Sequence, residues 1–319
     1  MLPVFYSLTS MSAMADASPP ALAFDTDFAP ETGHPVDVLP GVVRLTAPNP
    51  GPFTFTGTNS FLLGGDRLAI LDPGPDDAAH RAALLAAAAG RRVEAIILTH
   101  THKDHSAGAD ALRQATGAPL WFAGPHRLSR PLRRFETNAL AGDCDWDLVP
   151  DRSLRDGETF TAGDLELVAT ATPGHCANHM GFGLAGTGWL LTGDHIMGWN
   201  STLVAVPDGS MADYLASLEK VLALPHAHYL PAHGGPIADG PAYARALLAH
   251  RQLRNRQIAD AVAAGATTIG GLLDRIYPQL TARLRFAAAL TLRAHIEYLA
   301  ERGLIRARRT LFGLRLSPP

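Results

Sequence analysis

The sequence predicts a layered α/β fold followed by a smaller unit that is mostly helical. Up to about residue 240, short apolar runs alternate with segments of helical pattern, as in proteins whose strands and helices pack in layers. Beyond that point, three helical segments and a short arginine-rich alternation replace the strand-like runs. The chain has 319 residues, of which 47% are hydrophobic, so it can bury a large core in one domain or two.

Eight runs in the first part are predicted as strands, because they are short, apolar and bounded by turn residues. They cover residues 41–45, 60–63, 68–72, 93–99, 120–122, 165–170, 189–192 and 228–231. The helices predicted between them are an alanine-rich one capped by Asp76 or Asp77 and ending at Gly90, one at 107–116, and one at 211–224 capped by Asp208 or Ser210.

The last part of the chain has a different pattern. Helices are predicted at 241–264, 268–277 and 281–302, the last of them capped by Thr281 and stopped by Gly303. Residues 304–316 alternate apolar residues and arginines around Gly313, as in a β-hairpin. Together these elements predict a winged-helix-like unit. Such a unit can lie in a nucleic-acid groove or wall one side of an active site, and we favour the second use.

Seven side chains of the kind that bind transition metals fall into four clusters. His100, His102, Asp104 and His105 lie within six residues, directly after the predicted strand at 93–99. Further along the chain, single metal-type residues follow short apolar segments and lie beside a glycine: His175, Asp194 and His233. Imidazole and carboxylate together suit zinc, iron or manganese better than calcium or magnesium. Seven ligands are more than one tetrahedral ion can bind, so the set predicts a two-metal hydrolase.

These motifs occur in the same order as those of the metallo-β-lactamase superfamily, and the chain resembles that family over roughly residues 55–240. The resemblance implies an αββα sandwich with two metals at one edge. It assigns His100, His102 and His175 to the first metal, and Asp104, His105 and His233 to the second. Asp194 would bridge the two metals. A narrower resemblance, through the run 172–180, is to the group of beta-lactamase-like protein 2 and its bacterial relatives, from which Cys176 and Asn178 depart.

The resemblance and the motifs predict three domains and a binuclear enzyme. Residues 1–22 would form a disordered tail, 23–240 the catalytic domain and 241–319 the winged-helix-like domain. A hydroxide shared by two zinc ions, or by iron or manganese, would attack an ester, thioester, lactone or amide. Asp104 would orient or deprotonate the attacking water, while His179 and Asn178 would contact the substrate. His179 would lie on the side of His175 if residues 174–180 lead into a helix.

Two alternatives stay open for the function. One is a metal-dependent endoribonuclease that acts on single-stranded RNA, favoured by the basic C-terminal unit and by the resemblance to beta-lactamase-like protein 2. The other is a mononuclear iron persulfide dioxygenase, which would use the same scaffold with one metal. A catalytically silent binding protein is disfavoured, because no member of the seven-ligand set is missing.

Two further features support more than one interpretation. Asp72 follows a predicted strand and would either orient a ligating imidazole or serve as an ordinary turn residue. A basic segment would either hold an anionic substrate or form the solvated face of a helix, and consists of His126, Arg127, Arg130, Arg133 and Arg134.

Charge and composition limit the partners. Residues 245–319 carry 13 arginines against four carboxylates, so this region would contact a polyanion or dock on the acidic remainder. Two cysteines, Cys144 and Cys176, make no disulfide framework and fit a reducing compartment. No stretch approaches a membrane span, and no Lys or Arg precedes Arg44, as a targeting segment would need. We therefore expect a cytoplasmic enzyme, with either a small molecule or RNA as its substrate.

Overall fold

The computed structural model describes residues 22–310 and 313–319, and for residue 283 it describes the backbone alone. The predicted tail at 1–22 therefore lies outside the described residues, except for Leu22. The strands are β1 Pro35–Leu39, β2 Val42–Thr46, β3 Asn59–Gly64, β4 Arg67–Leu71, β5 Arg92–Ile97, β6 Leu120–Phe122, β7 Arg152–Ser153, β8 Thr159–Ala162, β9 Leu165–Ala171, β10 Met180–Leu184, β11 Trp189–Gly193, β12 His228–Pro231, β13 Arg306–Thr310 and β14 Gly313–Ser317. The helices are α1 Ala78–Ala88, α2 Lys103–Ser106, α3 Ala109–Thr116, α4 Met211–Leu222, α5 Gly240–Ala263, α6 Ile269–Ile276 and α7 Ala282–Glu301.

Two sheets pack face to face and carry helices on their outer sides. One sheet has the order β1-β2-β3-β4-β5-β6-β7, and the other has the order β12-β11-β10-β9-β8. Their inner faces share one apolar core, to which Phe61 and Ile97 contribute from the first sheet and Phe182 and Leu191 from the second. On the outer faces, α1 and α3 cover the first sheet, and α4 and α5 cover the second. The predicted layered α/β fold is therefore confirmed as a four-layer sandwich.

The central strand β5 shows how sequence pattern produces this layering. It is parallel to both β4 and β6, so both of its faces are covered by protein. Ala95 and Ile97 enter the core between the sheets, whereas Val93 and Ile96 pack against the outer helices. The strand then ends at the polar sequence of 99–105, which it delivers to the edge of the sandwich.

Residues 174–180 do not lead into a helix, so the condition under which His179 was placed on the side of His175 is not met. The chain instead enters strand β10, which lies in the middle of its sheet with all five residues buried. Gly181 and Gly183 obscured the strand in the sequence, because glycine is depleted in strands. Here glycine meets a packing need, since a Cβ on Gly183 would approach the His226 ring to 2.6 Å. Strands β1, β7 and β8 were also not predicted.

The C-terminal segment forms the predicted three helices and the hairpin of β13 and β14. These elements enclose an apolar cluster of their own, with Ile258, Leu272, Ile296 and Leu316 at its centre. The first half of α5 belongs to the sandwich as well, because Ala244 and Leu247 pack under the second sheet. This unit is therefore joined to the sandwich by a continuous helix with a shared core.

The basic segment at 126–134 forms neither a helix nor a free anion site. Its Arg130 pairs with the buried carboxylate of Glu136 at 2.7 Å and with Glu297 of α7 at 2.7 Å. Arg293 of α7 and Arg309 of β13 also pair with Glu136. The carboxylates hold these guanidinium groups between the sandwich and the C-terminal unit, so part of the charge asymmetry is used in docking the two regions.

Among the described residues, no helix is both long and apolar enough to cross a bilayer.

A histidine far from the polar edge gives a pH prediction. His80 is buried, its Nε2 lies 2.8 Å from the Ser60 hydroxyl, and burial lowers its pKa to about 4. Between that value and an unfolded pKa of about 6.5, the unfolded chain binds more protons, so stability falls as the pH falls. At pH 5 this lost contribution is about 2 kcal/mol. Urea denaturation at pH 7.5 and pH 5 should show that His80→Gln loses less stability on acidification than the wild type. An equal loss in both proteins would contradict the assignment.

Candidate metal centre

Three imidazoles converge at the end of strand β5. His100 Nε2 lies 3.0 Å from His102 Nδ1, and His175 Nε2 lies 2.8 Å from the same His102 atom. His100 and His102 follow β5 directly, whereas His175 comes from the loop between β9 and β10. All three side chains are buried. They form a compact trio of nitrogen donors that could hold one metal ion.

A second donor set lies beside the first. Asp104 Oδ2 is 3.3 Å from His105 Nε2 and 3.2 Å from His233 Nε2. Asp194 faces both sets, with Oδ1 at 3.3 Å from His233 Nε2 and Oδ2 at 3.6 Å from His175 Nε2. Among the described residues, His105 Nε2, His233 Nε2 and Asp194 Oδ1 are buried without a hydrogen bond of normal geometry. Both nitrogens lie within 3.5 Å of Asp194 Oδ1, and such a group of three unpaired atoms fits a bound cation.

Each of the five histidines is anchored through its outward ring nitrogen. The acceptors are the Thr99 hydroxyl for His100 at 2.9 Å, Asp208 for His102 at 2.8 Å, Asp72 for His105 at 3.0 Å, the Leu203 carbonyl for His175 at 2.8 Å and the Gly57 carbonyl for His233 at 3.2 Å. Assigned from these partners, the neutral tautomer of every ring has its proton on the outward nitrogen and its lone pair on the inward one. The side chains therefore fit two metals with no change of tautomer.

Protonation differs between the two sets. Burial, together with neighbouring imidazoles, lowers the pKa of His175 to about 4 and that of His100 well below its usual value. In the second set, burial acts to lower the pKa of His233, but Asp194 and Asp104 outweigh it and raise the pKa to about 9. His100 and His175 are thus neutral. Burial acts to lower the pKa of His102, but its hydrogen bond to Asp208 and nearby carboxylates outweigh burial and raise that pKa, so binding of cations would release protons from His102 and from the second set.

Two close backbone approaches position the loop-borne donors. Gly174, before His175, has a φ of +139°, and a Cβ there would lie 2.3 Å from the Tyr214 Cα of α4. Gly193, before Asp194, has a φ of +52°, and a Cβ there would lie 2.6 Å from His179 Nε2. Larger residues would push both loops off their supports, which explains the glycine beside each donor.

Asp72 is confirmed as the carboxylate behind the site. One of its oxygens accepts from the Thr99 backbone N–H at 2.7 Å, and the other accepts from His105 Nδ1 at 3.0 Å. Its φ of +49° is unusual for a residue other than glycine. The strained conformation is held by these buried hydrogen bonds.

Asp208 and His126 also support the site, although their sequence context did not predict this role. Asp208, predicted only as a helix cap, accepts from His102 Nε2 and His126 Nε2, each at 2.8 Å. Ser210 caps α4 in its place. The His126 ring, taken as part of a basic segment, is buried, and its Nδ1 lies 2.9 Å from the Thr101 hydroxyl.

His179 and Asn178 lie behind the donors rather than against the pocket. His179 Nε2 accepts from the Asp194 backbone N–H at 3.0 Å, and its Nδ1 lies 2.8 Å from the Thr172 hydroxyl. Asn178 donates to the Thr101 hydroxyl at 2.8 Å. Both residues are buried and neither lines the pocket, so this geometry gives no support to the predicted substrate contacts.

Cys176 is a small buried residue whose thiol pKa is raised by burial.

A pocket of about 500 Å³ opens over the donor sets, which line it through His102, Asp104, His175 and Asp194. Its other walls are largely apolar and come from both parts of the chain. From the sandwich these residues are Pro52, Phe53, Leu140, Met197, Trp199 and Leu203, and from the C-terminal unit they are Tyr277, Leu280, Leu284, Ala287 and Ala288. The C-terminal helices thus wall one side of the site, which is the use favoured from the sequence.

A four-layer α/β sandwich with histidine and aspartate donors at its strand ends defines a class of hydrolases that typically bind divalent metals. Residues 53–233 match the Metallo-beta-lactamase superfamily, and the chain belongs to that family. It is 30% identical over 271 residues to the lactamase-like protein vrtG of Penicillium aethiopicum, covering 83% of this chain and 76% of that protein. It is 29% identical over 266 residues to an atrochrysone carboxyl ACP thioesterase of Aspergillus fumigatus, covering 77% of each. The chain is also similar to the beta-lactamase-like protein 2 homolog of Caenorhabditis elegans, at 29% over 230 residues, covering 70% of this chain and 72% of that one.

Solved structures agree with this assignment. A metallo-beta-lactamase family protein of Thermus thermophilus superposes with a TM-score of 0.71 at 28% identity, covering 89% of this chain and all of that one. A beta-lactamase domain protein of Burkholderia ambifaria gives a TM-score of 0.76 at 23% identity, covering 93% and 97% of the two chains. Both matches cover most of the chain, so the shared fold extends beyond residues 53–233.

Proposed function

We propose that the chain is a two-metal hydrolase that cleaves an ester or thioester of an acyl group with an apolar chain. The observation that carries the proposal is the pair of donor sets, joined by Asp194, at one end of a largely apolar pocket. His100, His102 and His175 would hold one metal. Asp104, His105 and His233 would hold the other, and Asp194 would contact both.

The reaction would use the chain's residues in distinct roles. When bound, the metals would lower the pKa of water towards neutrality and polarise the acyl carbonyl. Asp104, whose side chain reaches the pocket, would accept a hydrogen bond from the attacking water and orient it. The water oxygen would bond to the acyl carbon as the bond to sulfur or oxygen breaks, and the leaving thiolate or alkoxide would take up a proton given up by the water.

The apolar walls support an acyl substrate over a nucleic acid. Burial of an apolar acyl chain of several carbons would contribute roughly 0.8 kcal/mol for each CH₂ group. The name of the Aspergillus fumigatus relative, a thioesterase, agrees with this choice. The pocket is also closed on one side by α7 and by the segment before it, which leaves less room for a polymer strand.

The ribonuclease and dioxygenase alternatives have less support. The predicted wing is the hairpin of β13 and β14. Of its arginines, Arg309 forms an ion pair with Glu136 and donates to the Arg134 carbonyl, whereas Arg306 and Arg308 are exposed. The second donor set, formed by Asp104, His105 and His233, favours two metals over the single iron of a dioxygenase. Both alternatives remain predictions, as does the winged-helix-like character of 241–319.

Metal analysis followed by parallel assays tests the proposal. Protein purified without chelator should hold two metals per chain, mainly zinc, with iron or manganese accepted at the oxygen-richer second set. Acyl thioesters of N-acetylcysteamine should be cleaved, single-stranded RNA should not, and nitrocefin should react weakly. Efficient cleavage of RNA or nitrocefin without thioester turnover would reject the acyl hydrolase.

A further inference from the structure

A buried arginine of α5 lines the active-site pocket without a carboxylate partner. Arg251 is 2% exposed and forms part of the same pocket wall as Asp194 and His175. Its Nη2 donates to the Thr202 carbonyl, and its Nε has no hydrogen-bond partner among the described residues. Its guanidinium also packs across the Tyr214 ring, 5.1 Å from the ring centroid. Most of its hydrogen-bonding capacity is therefore unused.

The surroundings of Arg251 are positive. Arg254, one helical turn further on, lies over the Tyr277 ring, 4.2 Å from its centroid, and no carboxylate pairs with either arginine within 4 Å in residues 22–310 and 313–319. Burial and then the two arginines lower the pKa of His250 to about 4, and the same causes hold the pKa of His295 well below its usual value. Both histidines are therefore neutral near pH 7, so they neither add to nor offset the positive charges of Arg251 and Arg254.

A group of partly exposed arginines around the buried carboxylate of Glu136 shows the contrast. There, Arg130, Arg293 and Arg309 share the buried carboxylate of Glu136, as the cost of burying a charge requires. Arg251 is more deeply buried than any of these arginines and has only a carbonyl oxygen and an aromatic face. A buried cation of this kind, facing a pocket, is suited to an anion that arrives with the ligand.

We propose that Arg251 binds a carboxylate carried by the acyl group of the substrate, so that the enzyme prefers acyl groups with a negatively charged end. This inference rests on the proposed function and narrows it. A carboxylate matches the fork of one guanidinium, whereas a phosphate dianion is usually held by more than one cation. Arg254 is not part of the pocket wall, and Lys103, which is, donates to the Gly142 carbonyl at 2.9 Å. The apolar walls would hold the body of the acyl chain between Arg251 and the donor sets.

The test compares two series of N-acetylcysteamine thioesters that are matched in length. One series carries dicarboxylic half-acyl groups from succinyl to suberyl, and the other carries the neutral acyl groups from butanoyl to octanoyl. At one chain length or more, wild-type kcat/KM should favour the charged thioester at least about tenfold, because hydrogen bonds to charged groups are the stronger kind. Arg251→Met should reduce that ratio about 10- to 100-fold and leave the neutral series within about threefold.

Controls separate substrate recognition from structural support. Arg256 is exposed on the same helix, so Arg256→Met should change neither series. Arg251→Lys keeps the charge and should retain part of the preference even if Arg251→Met folds poorly. Metal content should stay equal in all variants. A wild-type ratio near one at every length, or a ratio that Arg251→Met leaves unaltered, would overturn the proposal.

Binding distinguishes failure of this inference from failure of the proposed function. If the wild type cleaves no thioester, the acyl hydrolase is rejected, and calorimetric titration then decides the role of Arg251. Monoamides of the same dicarboxylic acids should bind more tightly than neutral amides of equal length, and Arg251→Met should remove the difference. Equal binding of the two amides would overturn the carboxylate site, as would a difference that persists in the variant.

Discussion

Asp194→Asn is expected to abolish turnover and to release at least one metal ion per chain. Asp194 is the one described carboxylate that faces His175 of the first donor set as well as His105 and His233 of the second. The asparagine keeps the shape but removes the charge that would balance two divalent cations in a buried site. We expect kcat to fall by at least about 10³-fold, near the upper range for loss of one electrostatic element of an active site.

Elemental analysis and single-substrate kinetics on the same preparation check this expectation. Asp66 is exposed in the turn between β3 and β4, so Asp66→Asn serves as a matched control that should leave metal content and kcat unchanged. A variant at Asp194 that retained two metals and full activity would remove the bridging role from the proposal.

Asp208→Asn is the second large effect expected. The Asp208 carboxylate accepts two hydrogen bonds from buried imidazoles, and an amide in its place can accept only through one atom. His102 and His126 would then compete for one acceptor oxygen, and the neutral amide would hold the His102 ring, whose Nδ1 lies near His100 and His175, less firmly. Outer partners of ligating histidines typically contribute 10- to 100-fold to metal affinity, so a loss of about that size is expected.

Competition with a chromogenic chelator measures this loss directly, independent of turnover. His126→Gln provides the graded comparison, because it removes one of the two imidazole donors to Asp208 but leaves the bond to His102. Its metal affinity should fall less than that of Asp208→Asn. If Asp208→Asn bound metal as tightly as the wild type, Asp208 would have no positioning role.

The seven candidate donors could be picked out from the sequence because imidazoles and carboxylates at the ends of apolar strands are costly to bury unless they are paired or bind a metal. Asp208 could not be predicted in the same way, because its partners His102 and His126 are 106 and 82 residues away along the chain. Nothing local distinguishes it from a helix-capping aspartate such as Asp77, which does cap α1. Long-range pairing of buried polar groups is a property of the folded core.

The helices of the C-terminal unit were predicted to within a few residues, because capping residues and stop glycines act locally. By contrast, strand β10 was missed. Its glycines are needed for close contacts with neighbouring elements, so its sequence lacks the hydrophobic pattern typical of a strand. Arg251 was one of 13 arginines in residues 245–319, which were predicted as a group to contact a polyanion or to dock on the acidic remainder. Only the packing of α5 at the pocket shows that it is buried.

One side of the pocket wall and the proposed metal-binding residues come from different parts of the sequence. Mutations can therefore change the shape of the pocket without changing the residues that would bind the metals. All the proposed metal-binding residues lie between positions 100 and 233, whereas one whole side of the pocket comes from positions 251–291. Ala287, Ala288 and Thr291 are small residues on α7, and substitutions there would reshape the cavity without touching a donor or its anchor. Selection for a new acyl group could therefore act on the last quarter of the chain while the chemistry is inherited unaltered.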